Sequence, residues 1–125
     1  MDSLCRYDLE GFADDLGLPI DDIADLFSDF IQEINSEISK VKTFLSEKNL
    51  TGIEQINHNI KGISVNYRIL DIYEETMKIS RALKNGDYAH IETLYDNFFN
   101  ISDNAVKAIV YYFEQKGFVI SPSLL

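Results

Sequence analysis

The sequence predicts an all-α fold on three observations. Four long segments carry apolar residues at alternating spacings of three and four, the signature of helices packed along one face. No stretch alternates apolar and polar residues with the period of two that a half-buried strand requires. The connections are short and hold residues that stop or cap helices. Together these point to an antiparallel up-down-up-down four-helix bundle with a short additional N-terminal helix. The chain reads as one domain over residues 1–125, with a bundle core at about 20–116 and an apolar tail at 118–125.

The first helix is short, from about Tyr7 to Leu16, with Leu9, Phe12, Ala13 and Leu16 on a rough face and Gly17 and Pro19 ending it. The second runs from about Ile20 to Lys48. Asp21, Asp22 and Asp25 suit the positive end of its dipole, and Ile23, Phe27, Phe30, Ile34, Ile38, Val41 and Leu45 form its stripe. Leu26 and Ile31 widen that stripe, either to pack against the first helix or as part of a docking surface. A third helix starts at Thr51-Gly-Ile-Glu54, which has the form of a capping box, with Asn49 as the other candidate cap. It is expected to end near Asn66 or Tyr67, because asparagine tolerates the left-handed conformation. The fourth spans about Ile69 to Leu83, and Asn85-Gly86-Asp87 supplies a stop and a new N-cap. The last helix carries Ile91, Leu94, Phe98, Ile101, Ala105, Ala108 and Tyr112 up to Gly117. The tail contains Pro122 and could fold back or bind a partner; no internal repeat or low-complexity stretch is expected.

Composition narrows the function classes. Eleven basic against 21 acidic residues give a net charge of −10, which argues against sustained contact with nucleic-acid phosphates or an anionic membrane. Cys5 is the only cysteine, so an intrachain disulfide and multi-cysteine zinc sites are excluded. The N-terminus lacks a basic start followed by an apolar run, and no stretch approaches the length of a membrane span. A soluble protein of the cytoplasm is expected.

The informative segment is Ile53 to Tyr67. Its stripe is Ile53, Ile56, Ile60, Ile63 and Tyr67, and at roughly 100° per residue the mean direction of that stripe lies about 180° from His58. The imidazole is therefore expected to face solvent. Glu54, Gln55, Lys61, Gly62 and Val65 lie three, four or seven residues away and share its face. Gly62 stands out, because a glycine inside a helix costs about 1 kcal/mol relative to alanine and the core pattern asks for none there.

His58, Lys61 and Gly62, with Asn66 beyond them, resemble the motif of the histidine phosphotransfer (HPt) family of phosphorelays, in which lysine and glycine follow the histidine by three and four residues. The helix layout is similar over most of the chain. The sequence departs from the family pattern at Ile63, where a small residue is more usual, and at Arg68, where glycine is usual. The resemblance implies that His58 accepts a phosphoryl group from a receiver-domain aspartate and passes it to another receiver. The implied partners are response-regulator receiver domains, with a hybrid sensor kinase as a further candidate. It also implies no cofactor and no metal on this chain, the divalent ion belonging to the receiver.

The chemistry of that role suits these residue types. Phosphoryl transfer passes through a loose transition state with negative charge on the equatorial oxygens, so positioning and electrostatics do most of the work. Lys61 is one turn from His58 and can supply positive charge. Gly62 gives clearance for a partner's pocket, Val65 an apolar contact, and Gln55 and Glu54 polar ones. No Gly-rich phosphate loop occurs, so the chain is expected to be a phosphocarrier and not an ATP-using enzyme.

Taken singly, His58 and Lys61 would read as solvated surface residues and Val65 as a stray exposed apolar one; their combination with Gly62 on one face favours the site. His90, close to the stripe of the last helix, reads as partly buried and structural, and Arg81 and Lys84 read as solvated. A di-iron carboxylate bundle needs paired Glu-x-x-His motifs pointing inward, and Glu54 and His58 are four apart with the histidine outward. The principal alternative is a helical adaptor without phosphate chemistry, in which His58 is replaceable.

Overall fold

The computed structural model describes residues 6–120, so Cys5 and the part of the tail with Pro122 lie outside the described residues. It holds five helices and, among those residues, no strand: α1 (Leu9–Leu16), α2 (Ile20–Ser46), α3 (Leu50–Asn66), α4 (Leu70–Asn85) and α5 (Tyr88–Gln115). Side chains of the preceding residue cap three of them. Asp8 accepts from the Gly11 N–H at 2.9 Å, Asn49 from Gly52 at 3.0 Å and Asp87 from His90 at 3.2 Å. Asn49, not Thr51, is therefore the cap of α3, since its oxygen meets an amide that has no partner within the helix.

α2 packs on α3, α3 on α4, α4 on α5, and α5 on α2, which closes a ring of four helices. α1 lies against α2. The ring encloses one apolar cluster to which every helix contributes, with Phe27, Phe30, Phe98, Phe113 and Tyr95 its largest fully buried side chains. Burial of each such side chain stabilises the fold by about 1.5–3 kcal/mol. Ile31 is fully buried and Leu26 half-buried, so Ile31 belongs to the core and not to a docking surface. The tail folds back as far as Ile120, which is buried, while Val119 before it is exposed.

The turn from α3 to α4 holds an unusual residue. Arg68 takes φ 60°, the left-handed conformation that was expected of an asparagine further back. Its side chain is tied down: the guanidinium donates to Asp15 at 2.7 Å and lies over the Phe12 ring, 5.2 Å from the centroid. The strained residue thus fixes α1 against this end of the ring, where Phe12, Phe27, Phe30 and Tyr67 form an aromatic cluster.

The expectation of no internal repeat is overturned. The α2–α3 hairpin and the α4–α5 hairpin match at a constant offset of 38 residues. Glu37, Lys40, Leu45, Ile53, Glu54, Asn59, Ile63, Ser64 and Asn66 recur as Glu75, Lys78, Leu83, Ile91, Glu92, Asn97, Ile101, Ser102 and Asn104. The backbone repeats too. Lys48 and Gly86 both take positive φ, 55° and 68°, just before the capping residues Asn49 and Asp87. Each hairpin carries the same clamp. The buried Glu37 accepts from Lys40 at 3.1 Å and from Asn59 at 2.9 Å, and the buried Glu75 accepts from Lys78 and Asn97, both at 2.9 Å.

Candidate functional site

The rotation of α3 about its axis is set by the two residues that flank His58. Asn57 is buried and donates from Nδ2 to the Thr76 carbonyl of α4 at 3.0 Å. Asn59 donates to Glu37 of α2, and Gln55 in turn donates to Asn59 at 3.2 Å. Successive helix positions are about 100° apart, so with one neighbour anchored to α4 and the other to α2, position 58 bisects the outward face. His58 is exposed there, its imidazole with no hydrogen bond to any described residue.

Gly62 is exposed, and a side chain at its Cβ position would meet nothing within 4 Å, which removes close helix packing as its reason. Lys61 is half-buried and forms no ion pair among the described residues, so its charge is available. Val65 is 55% exposed, and Glu54 and Gln55 are exposed. Arg81 and Lys84 are exposed on α4. His90 is a correction: it is exposed, as are its neighbours Ala89, Glu92 and Thr93, because the first turn of α5 emerges directly from the Gly86-Asp87 turn.

Sequence reasoning missed the groove beside His58. An open groove of about 650 Å³ runs between α2 and α3, with Gln32, Glu33 and Glu37 on one wall and His58, Gly62 and Asn66 on the other. Glu33 is exposed and has no hydrogen bond or ion pair among the described residues. Together with Asp29 it helps raise the pKa of the Tyr67 phenol, behind the larger effect of burial. One signal for the groove was present: Glu37 falls on the α2 stripe between Ile34 and Val41, where a charge needs partners from another element.

Among the described residues no group of His, Cys, Asp and Glu side chains is arranged to hold a metal ion. Among the same residues no helix is long and apolar enough to cross a membrane. The chain matches no family model, and no curated protein or solved structure matches it.

Proposed function

We propose that this chain is a histidine phosphotransfer protein of the cytoplasm, accepting a phosphoryl group on His58 from a receiver-domain aspartate and handing it to a second receiver. In this reading residues 1–125 are one domain, and α2 to α5 run alternately up and down as an antiparallel bundle, since turns of a few residues leave no length to return along a helix. The observation that carries it is the empty space over Gly62 beside an exposed imidazole. A glycine that no contact requires is accounted for by a partner that comes close to the helix backbone.

The transfer needs little from this chain. A lone pair of a neutral imidazole nitrogen attacks phosphorus, the bond from phosphorus to the aspartyl oxygen breaks, and the carboxylate leaves with the electron pair. The ammonium of Lys61 offsets charge on the equatorial oxygens. Val65, Gln55 and Glu54 meet the receiver's rim. The divalent metal and the remaining catalytic groups are the receiver's, and ATP is not used.

The test is transfer from a panel of radiolabelled phospho-receivers. Label should appear on this chain, survive alkali and be lost in acid. His58→Gln should abolish it, and Lys61→Ala should slow it with little change in folding. No transfer across the panel from a folded protein would favour the adaptor reading.

A further inference from the structure

The repeat shows what becomes of the matching acid in the other half of the molecule. Gln32, Glu33 and Ser36 line the groove beside His58, and their counterparts 38 residues on are Leu70, Asp71 and Glu74. Those three line a pocket whose remaining walls are Arg6, Tyr7, Asp8 and Arg68, with no residue of α5. There the acid is occupied. The Arg6 guanidinium donates to Asp71 at 2.6 Å, and the Tyr7 hydroxyl donates to the same carboxylate at 3.0 Å. Glu33, across the groove from His58, has no cation among the described residues.

We propose that Glu33 is the docking point for a basic side chain, arginine or lysine, on the receiver domain that approaches His58. The inference rests on the phosphotransfer reading for the identity of the partner. It rests on the repeat for the chemistry: one acid of each matched pair is satisfied from within the chain, and the other faces an open groove with the phosphate acceptor on its opposite wall. A chain of net charge −10 favours approach of a basic patch, and an acid on the rim of the contact acts mainly on encounter and selection among receivers.

The experiment measures receiver affinity and rate of phosphoryl transfer for the wild type, Glu33→Gln and Glu33→Lys at low and moderate salt. Glu33→Gln should weaken binding about threefold and Glu33→Lys about tenfold, with both differences shrinking as salt rises. Reversing the receiver's docking cation to glutamate should restore binding to Glu33→Lys. Because Glu33 has no hydrogen bond or ion pair among the described residues, helical content and thermal midpoint should not move in either variant. If the wild type transfers phosphate while both variants bind and transfer like it, the docking point is wrong and the phosphotransfer reading survives. Transfer from no receiver overturns both. A dimer in sedimentation that Glu33→Lys dissolves would assign the groove to Arg6 of a second copy and overturn the receiver as occupant.

Discussion

The two hairpins share a scaffold and differ in what they display. Both use a buried glutamate held by a lysine one turn on and an asparagine 22 residues on. Both turn through a residue of positive φ into an asparagine or aspartate cap. Outward, His58, Lys61 and Gly62 of α3 are replaced by Asp96, Phe99 and Asn100 of α5. Phe44 lies against Gly52, where a Cβ would fall 2.7 Å from its ring, and the counterparts are Ala82 and His90. The half with the histidine has an open groove, and in the other half Arg6 and Tyr7 hold Asp71, the acid that matches Glu33. The parts that hold the helices are thus duplicated, and those proposed to carry chemistry occur once.

The largest effects expected from breaking this comparison are in the clamps. Asn97→Ala removes one partner of Glu75, which is 3% exposed, and Asn59→Ala does the same to Glu37, which is 8% exposed. Each should cost about 1–3 kcal/mol in denaturant unfolding, with the more buried Glu75 giving the larger loss. The half-exposed lysines lessen the cost by keeping each carboxylate paired. Only Asn59→Ala should also slow phosphoryl transfer, because it frees one of the two anchors that turn His58 outward. Equal transfer rates in the two variants would separate the clamp from the site.

Gly62 and its counterpart offer a smaller and opposite effect. Gly62→Ala places a methyl in open space and should stabilise the protein by up to about 1 kcal/mol through helix propensity. Gly62→Leu should impair receiver docking at unchanged helical content, and Asn100→Leu, on the α5 face, should not. If Gly62→Leu accepted phosphate normally, clearance would not be the reason for the glycine.

Much of this was legible from periodicity, because a helix buried on one side shows its stripe in any single sequence. The stripes located five helices, and the angular position of His58 followed from Ile53, Ile56, Ile60, Ile63 and Tyr67. What escaped depends on pairs distant in the chain. Glu37 and Glu75 break their stripes, but their asparagine partners lie on the next helix, and no local rule links positions 22 apart. The repeat hid because its identities are scattered among clamp, cap and core positions. His90 misled because the angular rule assumes a neighbour along the whole helix, which fails in a first turn at a hairpin. The left-handed residue was expected at an asparagine and occurs at Arg68, where contacts with Asp15 and Phe12 hold a residue without that local preference.

The smallest expected effect sharpens the match between Asn57 and Tyr95, which occupy equivalent buried positions. Asn57 has its Nδ2 donor satisfied by the Thr76 carbonyl although its Oδ1 has no partner among the described residues, whereas the Tyr95 hydroxyl has no partner there at all. Burial raises the pKa of the Tyr95 phenol, and burial, ahead of the interactions with Asp71, pushes that of Tyr7 up to about 12 from 10.0. A folded-state pKa above the unfolded value means that the native state holds its proton longer. The resulting stability is complete below pH 10 and is lost as pH rises through the folded values. Unfolding midpoints should therefore fall from about pH 10 upward, and the fall should be shallower in Tyr95→Phe. At neutral pH that variant gives up no hydrogen bond within the chain, so its stability should stay within about 1 kcal/mol of the wild type, while Asn57→Ala should lose more. A Tyr95→Phe protein with the full alkaline loss would place the titration elsewhere, with Tyr7 and its contact to Asp71 the next residue to replace.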